Sequence, residues 1–179
     1  AFFKDADRVL LMAKRDFQVV GTISVLRDRR HQGHRGEAVV FFGFFECDGS
    51  QEVADALLDA AKVQARKWGA EILRGPRNLT RIEETGLMIE GYDQPSPMLS
   101  GHHSRAYRAL LESAGFTKHH DVLAYDTPVY DDEGSARRLP EKLAEQAEAV
   151  DVPGLEVRSV SWLHVWRDLN LAYEVFVDA

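Results

Sequence analysis

The most apolar stretch of the chain lies between positions 38 and 46, where valine and phenylalanine follow one another with a single glycine among them. A run of this kind is typical of a strand buried on both faces, so it predicts the central strand of a sheet over Ala38–Glu46. Two shorter apolar runs precede it, Arg8–Lys14 and Val19–Leu26, and the polar break between them predicts an antiparallel hairpin. The polar segment Arg27–Glu37, rich in arginine, histidine and glycine, is interpreted as a loop.

A helix is predicted over Gln51–Trp68, directly after the central strand. Its apolar residues recur at helical spacing, Ser50 is a suitable N-cap, and Asp48 with Gln51 resembles a capping box. Gly69 stands where a left-handed residue ends a helix. A strand, a short turn and a helix N-terminus form the place where open α/β sheets bind ligands, so function is sought first at this junction.

The remaining pattern predicts alternating short elements. The predicted elements are a strand at Glu71–Arg74, an irregular loop at Asn78–Gly101, a helix at Arg105–Ala114 capped by Ser104, a strand at Asp121–Tyr125, a linker at Asp131–Ser135, a helix at Pro140–Ala149, a strand at Leu155–Val160 and a helix from Ser161 to about Val177. This order predicts an α/β fold with a mixed sheet.

Composition narrows the classes of protein. The 179 residues carry a net charge of −7, which argues against a general nucleic-acid-binding role. The single cysteine, Cys47, permits no internal disulfide and favours a reducing, cytoplasmic setting. No run is long enough to span a bilayer. The chain begins with Ala1 and not with methionine, so we expect a fragment of a longer protein.

Short motifs in this pattern resemble the GNAT acyltransferases, and in particular a bacterial branch that often carries two such domains in tandem. The motifs are Phe42-Gly-Phe-Phe-Glu46, Ala56-Leu-Leu58, Gly75-Pro76 with Asn78, and Leu111-Glu-Ser-Ala-Gly-Phe116. The resemblance implies a mostly antiparallel mixed sheet flanked by helices. It further implies a first GNAT-like domain over residues 1–130 without its usual first strand and helices, a linker with a short helix over 131–154, and a truncated second domain over 155–179.

The activity that the resemblance implies is transfer of an acyl group from acetyl-CoA or another acyl-CoA to an amine, with both reactants held in position. Glu46 is the expected proton acceptor, and Tyr107 the expected proton donor to the leaving thiolate. The junction residues Phe45, Cys47, Gly49, Ser50 and Ala54 are the expected acyl-CoA contacts.

Two features depart from the family pattern. The glycine-rich phosphate motif aligns with Gly49, Glu52 and Ala54, of which only Ala54 fits, and Asp48 and Glu52 place negative charge where phosphates bind. The usual tyrosine aligns with Leu111, so Tyr107, one turn earlier, is its substitute.

Each candidate also has a structural interpretation. Glu46 is either a base or a solvated carboxylate at the end of a strand, and Cys47 is either a nucleophile or an inert buried thiol. Gly43 predicts a bulge or a close backbone approach. The histidines (His31, His34, His102, His103, His119 and His120) lack the spacing of metal ligands, so no metal site is predicted.

Two loops also have both a functional and a structural interpretation. Residues 78–103 are either a substrate loop, with Arg81, Glu83, Glu84 and Tyr92 as polar contacts, or structural. The arginines of 27–35 either hold a CoA phosphate or are solvated.

Two functions follow from this reading. The first is an acyl-CoA-dependent N-acetyltransferase or acyltransferase that acts on a small-molecule or peptide amine, with a site in this domain that is degenerate or uses an altered cofactor mode. The alternative is a non-catalytic substrate-binding or dimerisation module of a tandem protein, for which a homodimer is one arrangement. Neither involves nucleic acid, membrane or metal.

Overall fold

The computed structural model describes residues 4–80, 83–125 and 158–178, and between them residues 128, 130, 132–135, 141–142, 145 and 153–154. The chain forms two compact units, Ala1–Tyr125 and Asp126–Ala179. The elements of the first unit are β1 (Ala6–Arg15), β2 (Gln18–Asp28), α1 (Arg29–Arg35), β3 (Val39–Cys47), α2 (Gln51–Lys67), β4 (Ile72–Arg74) and α3 (Ala106–Ser113). In the second unit a 3₁₀ helix, Trp162–His164, continues into α4 (Val165–Asp178).

The four strands form one sheet in the order β1-β2-β3-β4. The strands β1 and β2 pair antiparallel, as do β2 and β3, whereas β3 and β4 pair parallel from Val39 with Ile72 to Phe41 with Arg74. The predicted fold class, an α/β fold with a mixed and mostly antiparallel sheet flanked by helices, is confirmed. The predicted hairpin and central strand are confirmed with it.

The core lies on both faces of β3. Val40 and Phe42 pack with α2 and α3 in the main apolar cluster, while Val39 and Phe41 belong to a smaller cluster with Ala6 and Leu26. Consecutive residues of a strand point to opposite faces, so the uninterrupted apolar sequence fits a strand covered on both sides. The predicted last helix, from Ser161 to about Val177, is found as the 3₁₀ helix Trp162–His164 followed by α4, which ends within one residue of the expected position, but Ser161 makes no side-chain cap.

A bulge interrupts β3 between Gly43 and Glu46. Thr22 pairs with Glu46 and Ser24 pairs with Gly43, so the single residue Ile23 of β2 faces two residues of β3, Phe44 and Phe45. Phe44 has a φ of 45°, and a Cβ atom on Gly43 would lie 2.1 Å from the carbonyl oxygen of Arg77. The prediction of a bulge or close approach at Gly43 is therefore confirmed. The extra residue reverses the alternation of side chains beyond it.

The predicted loop Arg27–Glu37 is wrong over Arg29–Arg35, which form helix α1. Asp28 accepts a hydrogen bond from the backbone N–H of His31 at 3.1 Å, and Gly36 ends the helix with a φ of 68°. Arginine and glutamine are good helix formers. The N-cap and the terminal glycine are visible in the sequence, but the composition, rich in arginine, histidine and glycine, favours a loop.

The predicted strand Asp121–Tyr125 is also wrong, because these residues form no regular structure. Val122 and Tyr125 are 74% and 84% exposed. An apolar pattern becomes a strand only where a neighbouring strand offers backbone partners along its length, and β4 has only three residues.

Fewer of the predicted elements can be compared with the structure in the second unit. Most of the predicted helix Pro140–Ala149 and the first half of the predicted strand Leu155–Val160 lie outside the described residues, and residues 158–160 are not a strand. None of the helices in the described part of the chain is long and apolar enough to cross a bilayer.

Candidate functional site

A pocket of about 230 Å³ opens where β3 extends beyond the end of β4. Strands, the loop that follows β4, and the start of α3 all contribute to it. The lining residues are Thr22, Phe44, Phe45, Glu46, Pro76, Asn78, Glu84, Leu87, His103 and Tyr107. The position of the pocket follows from the short β4, because only the first part of β3 has a strand partner on that side.

Glu46 and Tyr107, the two residues predicted to act in catalysis, are in direct contact. The Tyr107 hydroxyl donates to Glu46 Oε2 at 2.5 Å and accepts from the backbone N–H of Cys47 at 3.2 Å. The Tyr107 ring is 4% exposed and packs edge-on against Phe45. Burial, followed by the hydrogen bond to Glu46, raises the pKa of Tyr107 to about 12. Tyr107 is thus a weaker acid than an ordinary tyrosine, and its hydroxyl holds the Glu46 carboxylate at the pocket.

The bulge decides which way Glu46 faces. Phe42 and Phe45 both lie in the main apolar cluster, although three positions separate them and strict alternation would put them on opposite faces. Glu46 therefore emerges on the face opposite to that of Phe45. In a regular strand the same carboxylate would point towards α2 and the core.

Side chains from β2 and from the loop after β4 satisfy the backbone of β3 at the bulge. Asn78 Oδ1 accepts from the Phe44 N–H at 2.7 Å, and Thr22 Oγ1 donates to the Phe44 carbonyl oxygen at 3.1 Å. Asn78 Nδ2 in turn donates to Glu84 Oε2 at 2.9 Å, which fixes a second carboxylate in the lining. The loop after β4 thus replaces a strand partner and forms one wall of the pocket.

The loop 78–103 therefore contributes to the pocket through some of its predicted contacts. Glu84 lines the pocket, whereas Tyr92 stacks under Arg105 at 4.3 Å and Glu83 accepts from the Thr80 N–H. Arg81 lies outside the described residues.

His103 is a pocket residue that the sequence pattern did not single out. The sequence places it in an adjacent histidine pair without the spacing of metal ligands and at the end of the candidate substrate loop 78–103, but assigns it no role. Its Nδ1 accepts a hydrogen bond from the backbone N–H of Met88 at 3.3 Å. Burial lowers the pKa of His103 below its usual 6.5, and this outweighs the opposing effect of Glu46 and Glu84. In the sequence His102 and His103 are indistinguishable, and only the fold places one of them in the pocket.

The start of α2 is already capped by protein groups. Asp48 Oδ1 accepts from both the N–H and the hydroxyl of Ser50, and Ser50 Oγ accepts from the Val53 N–H at 3.4 Å. The predicted Asp48–Gln51 capping pair is wrong, because the Gln51 amide donates instead to Asp55 and to the Leu110 carbonyl. The glutamine reaches these acceptors because α3 packs beside α2, which its own sequence does not reveal.

The negative charges at this helix start are paired. Arg15 contacts Asp48 at 3.0 Å and Glu52 at 2.9 Å. Hydrogen bonds from Ser50, with a smaller effect of Arg15, lower the pKa of Asp48. The sequence predicted an unfavourable charge here for phosphate, and Arg15 at the end of β1 offsets part of that charge.

The other residues predicted to contact acyl-CoA differ in their access to solvent. Phe45 and Ala54 are buried in the main cluster, at 4% and 0% exposure, whereas Gly49 is exposed in a turn with a φ of 86°. Their role in binding stays a prediction. Leu111, the residue at the usual tyrosine position, is 7% exposed in the same cluster.

Cys47 is half-buried, and burial is the main cause that raises its pKa. A raised pKa reduces the thiolate fraction, so the thiol is not activated as a nucleophile. Cys47 also lines a second, more open pocket of about 370 Å³, together with Val20, Gly21 and Asp48. Glu46 and Thr22 line both pockets. Glu46 therefore lies at the boundary of the two pockets.

Three arginines of residues 27–35, which are candidates for binding a CoA phosphate, form ion pairs within the protein. Arg27 and Arg29 pair with Asp7, and Arg30 pairs with Asp5. The described residues include no group of three or more His, Cys, Asp or Glu side chains arranged to hold a metal ion.

Comparison with known proteins gives two distant relatives. The chain is 33% identical over 114 residues to Protein YghO of Escherichia coli (strain K12), a match that covers 64% of the chain and 29% of that protein. It is 28% identical over 179 residues to Bacterial ceramide synthase of Caulobacter vibrioides (strain NA1000 / CB15N), which covers 99% of the chain and 45% of that protein. The chain thus spans less than half the length of the curated relatives it matches. No family model and no solved structure matches it.

Proposed function

We propose that the chain is the acceptor-binding part of an N-acyltransferase, which transfers an acyl group from an acyl-CoA thioester to an amine. The observation that carries the proposal is the Glu46 carboxylate, held by Tyr107 between two pockets. The name of the relative from Caulobacter supports the reaction class, because ceramide is an amide of a fatty acid and a long-chain amino alcohol.

The charge of the smaller pocket favours an amine as acceptor. Glu46 and Glu84 both line it, and no lysine or arginine is among its described lining residues. An amine reaches such a pocket as its ammonium ion, which two carboxylates and the faces of Phe44 and Tyr107 attract. We assign the smaller pocket to the amine for this reason.

The reaction needs a free amine lone pair. Glu46 accepts one proton from the ammonium and releases it to solvent, to which this residue is exposed. The free amine nitrogen then attacks the thioester carbonyl carbon, Glu46 accepts the second N–H proton from the tetrahedral intermediate, and collapse of the intermediate breaks the C–S bond. Tyr107 positions Glu46 in this scheme. Its pKa of about 12 makes it a poor proton donor to a thiolate, whose own acid has an ordinary pKa of roughly 8.5. The thiolate therefore leaves as the anion.

The capped start of α2 favours the alternative function. In the resembled family, free N–H groups at this position bind the CoA pyrophosphate, whereas here the Ser50 and Val53 N–H groups already have acceptors. A domain that retains the fold but lacks this phosphate site suits a non-catalytic module that presents the amine to another part of the protein.

The experiment that tests the first function is a coupled assay of thiol release. The purified protein is mixed with acetyl-CoA or a long-chain acyl-CoA and with a panel of amines, and free CoA is measured with a thiol reagent. We expect amine-dependent release that falls about 10²–10⁴-fold in Glu46→Gln, since a positioned base contributes about that factor. Glu83→Gln is the matched control, because Glu83 lies in the adjacent loop and does not line the pocket.

Two results separate the functions. Unchanged turnover in Glu46→Gln removes Glu46 as the base. Calorimetry at about millimolar ligand detects binding free energies of about −4 kcal/mol or stronger. If it detects binding of an amine but no heat with acetyl-CoA, the protein is the non-catalytic module.

A further inference from the structure

The hydrogen bond to His103 determines which of its ring nitrogens carries the proton. A backbone N–H can donate only to a nitrogen with a free lone pair, and Met88 donates to Nδ1 at 3.3 Å. The proton of the neutral ring therefore lies on Nε2. In this tautomer His103 cannot accept a proton at Nε2 and instead offers an N–H donor.

The surroundings of His103 keep the ring neutral. The titratable groups that face it are Glu46 on β3, Glu84 in the loop after β4, Tyr107 on α3, and the adjacent His102. The two carboxylates raise its pKa and His102 lowers it, but burial has the largest effect, so the pKa is lowered overall. A neutral ring can donate a hydrogen bond without adding positive charge to a pocket that receives an ammonium.

The Nε2–H of His103 has no acceptor in the part of the chain that the structure describes. By contrast, the other polar groups around it already donate within the protein: Thr22 to Phe44, Asn78 to Glu84, and Tyr107 to Glu46. The ring also occupies space that a side chain at Gly101 would fill, because a Cβ there would lie 2.4 Å from His103 Cε1. A donor held in place beside a carboxylate base and lacking a protein acceptor suits a ligand oxygen.

We propose that His103 donates its Nε2–H to the carbonyl oxygen of the acyl group, where that group meets the amine in the smaller pocket. This inference rests on the proposed acyl transfer. When the amine nitrogen bonds to the carbonyl carbon, the C=O π electrons move onto oxygen, and His103 stabilises the resulting oxyanion. The intermediate then collapses and expels the thiolate, while the proton from the amine is on Glu46. A donor aimed at developing charge acts in the transition state more than in the ground state, so it raises kcat more than it lowers KM.

Two substitutions of His103 separate the donor role from a structural role. The amide nitrogen of glutamine reaches approximately the position of ring Nε2, whereas the asparagine side chain reaches only that of Nδ1 and keeps an acceptor for Met88. We expect His103→Asn to lower kcat by about 10²-fold or more with little change in KM, the usual effect of losing one such donor. We expect His103→Gln to retain at least about a tenth of the wild-type kcat. His102→Asn is the control, because His102 is exposed and contacts Ser96 and Tyr92.

Nitrogen-15 NMR of the unliganded wild-type protein tests the premise without any activity. The expected spectrum has a protonated Nε2 and an unprotonated Nδ1 for His103 at neutral pH, with a titration midpoint below 6.5. A proton on Nδ1 overturns the proposal, as does a wild-type kcat in His103→Asn. If the wild type transfers no acyl group to any amine, the proposed function fails, and the donor role fails with it. If the wild type is active and His103→Asn equals it, only the donor role fails.

Discussion

Replacing Tyr107 with phenylalanine removes one hydroxyl and keeps the ring that packs against Phe45. The hydroxyl donates to a carboxylate and accepts from the Cys47 N–H. A hydrogen bond to a charged group contributes about 1.5–3 kcal/mol net, but water replaces part of it here because Glu46 is exposed. We therefore expect the free energy of unfolding to fall by about 1–2 kcal/mol, which lowers Tm by about 2–4 °C per kcal/mol in a chain of this size.

Urea unfolding at neutral pH measures this change, with Tyr125→Phe as the control because Tyr125 is 84% exposed. The difference between the wild type and Tyr107→Phe also depends on pH. The folded-state pKa of Tyr107 is raised from 10.0 to about 12, so its stabilisation is complete below pH 10 and is lost as the pH rises through about 12. Equal unfolding midpoints for Tyr107→Phe and Tyr125→Phe would refute the assigned hydrogen bonds.

Two further substitutions test the bulge of β3 and the N-cap of α2, which lie beside the site, by thermal or urea unfolding. Gly43→Ala places a Cβ 2.1 Å from the Arg77 carbonyl oxygen, so we expect a loss of about 3 kcal/mol or more, whereas Gly33→Ala, with no atom within 4 Å, should stabilise helix α1 by up to about 1 kcal/mol. A Gly43→Ala protein as stable as the wild type would contradict the close approach at the bulge. Ser50→Ala removes the side-chain acceptor of the Val53 N–H and should cost about 1 kcal/mol, and an unchanged midpoint would mean that this cap contributes nothing.

Much of the fold could be predicted from local patterns. The apolar sequence of β3, the β-branched residues of β2 and the helical spacing with Ser50 at the start of α2 each act over a few residues, so the sequence alone reveals them. The two errors have different causes. Helix α1 had local signals that its composition concealed, whereas Asp121–Tyr125 had the pattern of a strand without a partner to pair with.

The candidate site could be predicted only in part. Glu46 and Tyr107 were predicted individually, one from its place at the end of β3 and the other from its helix, but their contact spans 61 positions of the chain. Glu84 was one of four candidate contacts in the loop 78–103, and His103 had no assigned role, because nothing local distinguishes a histidine or a glutamate in a pocket from one in a solvated loop.

What the sequence determined by itself was therefore the set of elements and the residue types available at their ends, because hydrophobic periodicity and capping act between near neighbours. Only the tertiary structure decided which groups meet. The short β4 left the edge of β3 open, the bulge at Gly43 turned Glu46 away from the core, and the Met88 N–H set the tautomer of His103. Each of these depends on backbone groups from distant parts of the chain. Gly43 marks the bulge in the sequence, but the hydrogen-bonding needs of backbone groups are the same at every position, so residue type does not show which of them meet.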